Sequence, residues 1–200
     1  MAGFTAFYDA NVPYPAELRN LLMHLALIGL FRAKWSAGVH EEWISNLLRN
    51  RPGLTRDKLE RTRMLMDKNA VDALVTGYED LISGLQLPDP DDRHVLAAAI
   101  LGQANVIVTM NLRDFPPGVL APFGIEAQHP DEFVLHLLDL SPGAVLAAAQ
   151  DHRRSLKNPP KTLDRVPASG ARNGILSTCS LIGAAVPQMV TDFGCGCDCA

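Results

Sequence analysis

The chain has 200 residues, which favours one domain with extensions, and 48% of them are hydrophobic, enough to form a sizeable core. The sequence contains no uninterrupted apolar run of the roughly 18 residues that a transmembrane helix needs. Met1–Tyr8 lacks the charged start and long apolar run of a signal peptide, so a cytoplasmic protein is expected. The net charge of −4 counts against a protein that simply coats nucleic acid.

Short apolar runs alternate with amphipathic stretches in the first part of the chain. The predicted elements are, in chain order, a strand over Phe4–Tyr8, a helix from Pro15, a strand over Leu30–Trp35, and helices over 37–50 and 55–70. Ser36 is a suitable N-cap for the second helix, because its hydroxyl can accept a hydrogen bond from a free backbone N–H of the first turn. Pro52 and Gly53 separate that helix from the next.

The same alternation continues to about residue 156. Val71–Leu87 is ambiguous between helix and strand. The later predicted elements are a helix start at Pro88–Asp92, an alanine-rich helix over His94–Ala104, a buried strand over Val106–Thr109, a loop over Arg113–Pro117, a strand over Gly124–Gln128, and helices over Pro130–Leu140 and Pro142–Leu156. This order predicts an α/β sandwich in which helices flank a central parallel sheet.

The composition changes after Lys157, where a linker-like Asn-Pro-Pro-Lys begins. We therefore predict a domain over 1–140, a helical extension over 141–157 and a poorly ordered tail over 158–200. The tail holds every cysteine of the chain: Cys179, Cys195, Cys197 and Cys199. The last three are spaced more tightly than usual zinc ligands, which favours a frayed terminus over a metal site. The cysteine-free remainder fits a reducing compartment.

Basic residues are concentrated between Arg49 and Lys68, a segment that contains seven basic and three acidic residues. Such a stretch is typical of a solvated helix face. It could also contact the phosphates of a nucleic acid, because cationic side chains supply most of the sequence-independent affinity for such a backbone. The candidates for that contact are Arg49, Arg51, Arg56 and Lys58.

Four acids stand at the ends of predicted elements: Asp9, Glu42, Asp92 and Asp114. Because ligands bind at the carboxyl ends of parallel strands, this topology could bring the four together. Clustered carboxylates repel one another, and a divalent cation removes that penalty. Mg²⁺ and Mn²⁺ prefer oxygen ligands and can promote attack of water on a phosphodiester. Spacing alone is a weak signal, since any one of these acids could be a helix cap or a surface charge.

Three segments together resemble the PIN domain family, and its VapC-type toxins in particular. They are Phe-Tyr-Asp9-Ala-Asn11-Val, Ser36-x-x-Val-x-x-Glu42-Trp, and Asp92-Arg-His-Val-Leu-Ala-Ala-Ala leading into Val-Ile-Val-Thr109-Met-Asn111-Leu-Arg-Asp114-Phe115. The third is the most specific, because it joins an acid, an alanine-rich helix, a buried strand and a second acid in a fixed order. The resemblance covers about residues 4 to 140 and implies a PIN-like three-layer sandwich.

The resemblance implies roles for individual residues. Asp9, Asp92 and Asp114 match the metal-binding acids, and Glu42 would complete the ligand set or orient water. Asn11, Thr109 and Asn111 match the polar residues that brace such a site. Two positions stay open. Helical phase does not separate Glu42 from Glu41, and Asp91 competes with Asp92. The polar His94 is interpreted as a helix-flank residue close to the site.

The function implied by the resemblance is a Mg²⁺- or Mn²⁺-dependent endoribonuclease, the toxin of a type II toxin–antitoxin pair. RNA would be its substrate, an antitoxin protein its partner, and a homodimer its usual assembly. The alternative is a catalytically silent binding module of PIN fold that acts through a protein partner. A metal-dependent phosphatase is disfavoured, because Asn11 stands where an Asp-x-Asp motif would place its second acid.

Overall fold

The structure, a computed structural model, describes residues 3–155, and the predictions for the tail and its cysteines fall outside that range. Its five strands are β1 (Thr5–Tyr8), β2 (Arg32–Ser36), β3 (Leu74–Val75), β4 (Val106–Val108) and β5 (Glu126–Gln128). Its helices are α1 (Ala16–Leu27), α2 (Ala37–Asn50), α3 (Arg56–Asn69), α4 (Glu79–Ile82), α5 (Arg93–Leu101), α6 (Pro117–Leu120), α7 (Pro130–Leu140) and α8 (Pro142–Ser155). Single 3-10 turns occupy Pro90–Asp92, Leu112–Asp114 and Ala121–Phe123.

The strands form one parallel sheet in the order β3-β2-β1-β4-β5. Helices flank it. Helix α8 contacts both α1 and α7, and helix α2 contacts both α3 and α5. The expected α/β three-layer sandwich with a central parallel sheet is therefore confirmed. Among the described residues, no helix combines the length and apolarity that crossing a membrane requires.

Burial explains why the central strands form. Every residue of β1 and β4 is buried, as expected for parallel strands covered on both faces. On one side Phe31 packs edge-on against Phe133 with ring centroids 5.0 Å apart. Helix α5 buries Val95 and Leu96 together with three small residues, Ala97, Ala98 and Ala99. The core therefore fixes the strands whose ends carry the acids.

The structure refines several predicted boundaries. The ambiguous Val71–Leu87 stretch forms the two-residue strand β3 and the one-turn helix α4. The alanine-rich helix is shorter than predicted, because it ends at Leu101 with Gly102 as its C-cap. The segment predicted as a loop over Arg113–Pro117 contains part of a 3-10 turn and the start of α6. Ser36 caps α2 as expected, and its hydroxyl accepts a hydrogen bond from the Val39 N–H at 3.2 Å.

Candidate functional site at the carboxyl edge of the sheet

The site lies at the point of the sheet where the order of successive strands reverses. From β1 the chain proceeds outward to β2 and β3, and it then returns to place β4 on the other side of β1. Tyr8 pairs with Val108 at the carboxyl ends of these neighbouring strands. Parallel α/β sheets bind their ligands in the crevice outside such a switch point. Asp9 follows β1 there and Thr109 follows β4, so the topology alone makes them neighbours.

Asp9 is 3% exposed and held by hydrogen bonds on both of its oxygens. Its Oδ1 accepts from the Ala10 N–H at 2.6 Å, and its Oδ2 accepts from the Thr109 hydroxyl at 2.6 Å and the Asn11 amide at 2.5 Å. Burial raises the pKa of Asp9 above its ordinary value, and the charge of Glu42 adds to that rise, while the Thr109 and Ala10 hydrogen bonds oppose it. The hydrogen bonds therefore hold the Asp9 carboxylate in position, although its burial disfavours the charged form.

The polar residues predicted to brace the site form one connected chain of hydrogen bonds. Asn11 Oδ1 accepts from the Met110 N–H at 3.0 Å, and the Thr109 hydroxyl oxygen accepts from the Asn111 N–H at 3.0 Å. The Asn111 amide donates in turn to Asp114 Oδ2. The turn after β4 is thus tied to the end of β1, and it carries Asp114 toward Asp9.

Asp92 and Asp114 come together with a third acid, Asp89, which is not among the predicted site residues. One carboxylate oxygen from each of Asp89, Asp92 and Asp114 lies within 4.8 Å of the other two. Asp89 accepts from the Asp91 N–H at 2.9 Å and caps the 3-10 turn Pro90–Asp92. The available signal was the Asp-Pro pair that opens this turn, but it indicates a cap as readily as a ligand.

The environment of Asp92 opposes its ionisation. Burial, followed by the charges of Asp9, Asp114, Asp89 and Glu42 in that order of importance, raises the pKa of Asp92 to about 7. A carboxyl group that is half-buried among four other carboxylates holds a proton near neutral pH unless a cation replaces it. Asp9 lies outside the closest triad, but its charge ranks first among those acting on Asp92.

The two neighbouring glutamates at the start of α2 have different surroundings. Glu42 is exposed at the rim of the site, its charge acts on both Asp9 and Asp92, and its Oε2 lies 3.4 Å from His94 Nε2. Glu41 forms a two-pronged ion pair with Arg56, with N–O distances of 2.8 and 3.0 Å. These hydrogen bonds, followed by one from the Ser45 hydroxyl, lower the pKa of Glu41 to about 2. The geometry therefore places Glu42 with the acids and Glu41 with α3.

Asp91, the alternative to Asp92, is exposed and is not part of the close triad. Its backbone N–H serves the cap of the turn. His94, in the first turn of α5, has a buried Nδ1 without a hydrogen-bond partner among the described residues. A Cβ at Gly38 would lie 3.1 Å from that nitrogen, so the glycine leaves room for the ring beside α2.

The donor set fits a hard divalent cation. All of the converging side chains offer oxygen, which Mg²⁺ and Mn²⁺ prefer to nitrogen or sulfur. Burial and then the repulsion of neighbouring carboxylates raise the pKa of Asp92, and a bound cation would relieve that repulsion. Asp89, Asp92 and Asp114 are close enough to share one ion, and Asp9 lies near enough to interact with it electrostatically.

The basic candidates separate into three groups. A groove of about 690 Å³ begins beside Asn11 and Glu42, and Arg51 and Lys58 are among the residues that line it. Arg56 lies outside this lining and is engaged by Glu41 and, at 3.5 Å, by Glu60. Arg49 is exposed in the last turn of α2, also outside the groove lining.

Comparison with known proteins gives two family matches. The PIN domain model matches residues 6–113, and the VapC50 C-terminal domain matches residues 130–184. The second match crosses the boundaries predicted near 140 and 157, and that division of the chain stays a prediction. No solved structure matches the chain.

A curated protein of Mycobacterium tuberculosis, named "Putative ribonuclease VapC50", is 44% identical over 90 residues. The aligned part is 45% of this chain and 53% of that protein, so the chain spans about half the length of this relative. The PIN domain match covers more than half of the chain and contains three of the four predicted acids, with the fourth directly beyond its end. The chain belongs to the PIN domain family.

Proposed function

We propose that this protein is a divalent-metal-dependent endoribonuclease that hydrolyses RNA phosphodiester bonds. The observation that carries the proposal is the convergence of carboxylates at the switch point of the sheet, where Asp92 sits among Asp9, Asp89, Asp114 and Glu42. Membership of the PIN domain family and similarity to a protein named as a ribonuclease support the same reaction.

The surroundings of each acidic residue indicate the role that it would have in this reaction. Asp92 and Asp114, with Asp89 beside them, would hold a Mg²⁺ or Mn²⁺ ion. When bound, the ion would supply Lewis-acid activation of water and charge stabilisation at the leaving oxygen. Asp9 is fixed by Thr109 and Asn11, which gives it a defined position as a further ligand.

Glu42 is suited to orient the attacking water. It is 44% exposed at its side chain, so solvent reaches it, and its charge acts on the acids behind it. The Glu42 carboxylate can accept hydrogen bonds from water while its backbone remains part of α2.

Hydrogen bonds through Asn111 hold Asp114 in the turn after β4, which preserves the spacing of the acids during the reaction.

We further propose that the enzyme is the toxin of a type II toxin–antitoxin pair and works in the cytoplasm. The support is similarity to a VapC50 ribonuclease and to the VapC50 C-terminal domain. An antitoxin protein would be its partner, and a homodimer its assembly. A small neighbouring gene for a DNA-binding protein, whose product forms a complex with this chain on co-expression, is the expected finding.

The experiment that tests the reaction is cleavage of an end-labelled single-stranded RNA by the purified protein with Mg²⁺, Mn²⁺ or EDTA. We expect cleavage with either metal, none in EDTA, and a loss of about 100-fold or more in Asp9→Asn and Asp92→Asn, because a ligand of the ion is removed. The matched control is Asp91→Asn, an exposed neighbour that should retain wild-type cleavage. Cleavage that persists in EDTA, or in both site variants, would remove these acids from the mechanism.

A further inference from the structure

The groove that starts at the acid site has a charge opposite to that of the site itself. It runs between α1, α2 and the start of α3, and we call it the α1–α3 groove. Its lining includes the cations Arg19, Arg51 and Lys58. Glu42, at the end shared with the acids, is the one carboxylate among the described residues that line it. A cleft with this arrangement attracts an anion along its length and presents a metal-binding centre at its end.

Arg19 is the most unusual residue of the groove. Its Nη1 donates to the Pro13 carbonyl at 2.7 Å, and its guanidinium lies over the Trp43 ring at 5.3 Å from the centroid. Its Nε is buried and has no hydrogen-bond partner in the part of the chain that the structure describes. Burial lowers the pKa of Arg19 below its ordinary value, and no carboxylate among residues 3–152 contributes to the shift.

A guanidinium in that position is costly to the free protein. Taking a charge out of water without an opposite charge disfavours the folded state, and a buried donor without an acceptor adds to the penalty. The Pro13 carbonyl and the Trp43 ring offset part of this cost, and a ligand that supplies an anion would offset the rest. A phosphate oxygen suits it, because the planar fork of arginine matches phosphate geometry.

Arg51 and Lys58 extend the cationic lining toward solvent. Both are exposed, and neither side chain has an ion pair within residues 3–155. Arg56, nearby on α3, differs because Glu41 and Glu60 neutralise it. The groove therefore keeps cations with which no acid of the described residues forms an ion pair, at one half-buried and two exposed positions.

We propose that the α1–α3 groove binds the RNA backbone next to the cleaved bond, with Arg19 holding a phosphate at its floor and Arg51 and Lys58 holding the phosphates that follow. The proposal rests on the proposed function for its ligand, but the binding step does not require cleavage. It assigns Arg19 a role that lies outside the acidic motif and outside the basic stretch of the sequence. Neutral groups such as Asn46 and Asn50 line the same groove and can donate to the same backbone.

The test measures binding and cleavage separately. Fluorescence anisotropy of a labelled single-stranded RNA in EDTA gives the affinity without turnover, for the wild type, Arg51→Ala, Lys58→Ala and Arg19→Lys. The control is Arg32→Ala, which removes an exposed charge at the opposite, amino end of the sheet. Arg51 and Lys58 are exposed, so their variants keep the fold, and thermal unfolding checks Arg19→Lys.

We expect about fivefold weaker binding for each groove variant, and a salt dependence whose slope falls by about 0.7 for Arg51→Ala and for Lys58→Ala, as for the loss of one contact to single-stranded nucleic acid. The control should stay within about twofold of the wild type. In the cleavage assay with Mn²⁺, Arg51→Ala and Lys58→Ala should raise KM and leave kcat close to that of the wild type.

The possible failures are distinguishable. A wild type that binds RNA through these residues but cleaves none would overturn the proposed function and support the groove. A wild type that cleaves RNA while all three variants keep its affinity and KM would overturn the groove inference alone. Variants that keep RNA affinity but lose affinity for a co-expressed partner protein would also overturn it, because the groove would then be a protein-binding surface.

Discussion

Two aspartates at the centre of the site differ in what holds them, although both have a raised pKa. Asp9 is buried but receives three hydrogen bonds from Ala10, Asn11 and Thr109. Asp92 is half-buried, and its surrounding charges all oppose ionisation. The same change to asparagine should therefore affect the stability of the metal-free protein in opposite directions.

Asp92→Asn should stabilise the metal-free protein at pH 8, because the amide removes a charge that four neighbouring carboxylates repel. The pKa of Asp92 in the folded state, about 7, lies above that of the unfolded chain. Between the unfolded-state and folded-state pKa values of Asp92, the folded protein binds more protons than the unfolded chain. The contribution of Asp92 to the free energy of unfolding is therefore present at low pH and lost as the pH rises through 7. The variant's advantage in Tm should vanish near pH 4. An equal or lower Tm at pH 8 would contradict this account.

Asp9→Asn should destabilise the protein by about 1–2 kcal/mol, because an amide has one accepting oxygen where the carboxylate has two. Its NH₂ group must face either the Ala10 N–H or the donors Asn11 and Thr109. Urea unfolding in EDTA measures the loss. A variant as stable as the wild type would show that this hydrogen-bond set does not hold Asp9.

Glu42→Gln and Glu41→Gln form a matched pair on α2. We expect Glu42→Gln to lower kcat by about tenfold or more, because Glu42 stands at the rim of the acids. Glu41→Gln should leave cleavage unchanged and affect stability little, because the ion pair with Arg56 is exposed. The reverse order of effects would show that Glu41 is the acid of the site.

The sequence supports residue assignments only where the residue stands at the end of an element with a strong pattern. Asp9 follows the buried strand β1 and Asp114 follows the buried strand β4, so the topology predicts that these two acids converge. The role of Asp89 was not predictable, because an exposed acid before proline indicates a helix cap. Nor could helical phase distinguish Glu41 from Glu42, since the difference lies in Arg56, which comes from the next helix.

At the level of elements, the strands and long helices follow from local pattern, and the short ones do not. β1 and β4 are continuous apolar runs, and α2 begins at a serine cap, so these were predictable. β3 has only two residues and forms because β2 offers it an edge to pair with. No periodicity exists in two residues, which is why Val71–Leu87 stayed ambiguous.

A buried network ties α2 to α3 and β2. The Trp43 indole N–H donates to His40 Nδ1 at 3.0 Å, so His40 is neutral and its Nε2 carries the proton. That nitrogen and the Trp35 indole then both donate to Asp67 Oδ1, at 3.0 and 2.8 Å. Burial lowers the pKa of His40, which agrees with the neutral ring. Asp67 therefore satisfies two donors from different elements.

Asp67→Ala should destabilise the protein by about 2 kcal/mol or more, because the donors of Trp35 and His40 lose their acceptor. Asp67→Asn keeps an accepting oxygen and should cost less. Urea unfolding of the two variants gives the comparison. Equal losses, or no loss in Asp67→Ala, would mean that packing rather than the shared acceptor holds α3 to β2.

For the whole molecule, the strand order determines where chemistry can occur. The reversal between β1 and β4 leaves a crevice at one edge of the sheet, and all four predicted acids reach it from different elements. Since an acid cluster destabilises the free protein, a bound cation should stabilise the whole fold through mass action. A cation bound at this cluster would displace a proton from Asp92, so its effect on stability should depend on pH.

Mn²⁺ should raise the Tm of the wild type more at pH 8 than at pH 6, because at pH 6 the ion competes with a proton on Asp92. Asp92→Asn, which has no such proton, should show a smaller and pH-independent rise. Thermal unfolding with and without the metal supplies all four values. An equal Mn²⁺ effect at both pH values in the wild type would contradict a site centred on Asp92.

The most direct test of the central claim is the single-turnover rate of RNA cleavage as a function of Mn²⁺ concentration, for the wild type and Asp114→Asn. If the acids hold the ion, the wild-type rate rises from zero to a plateau. The variant then needs at least about tenfold more Mn²⁺ to reach half its own maximum, because a ligand is missing. A wild-type rate independent of Mn²⁺ in chelator-treated buffer, or the same half-maximal concentration for both proteins, would contradict the account.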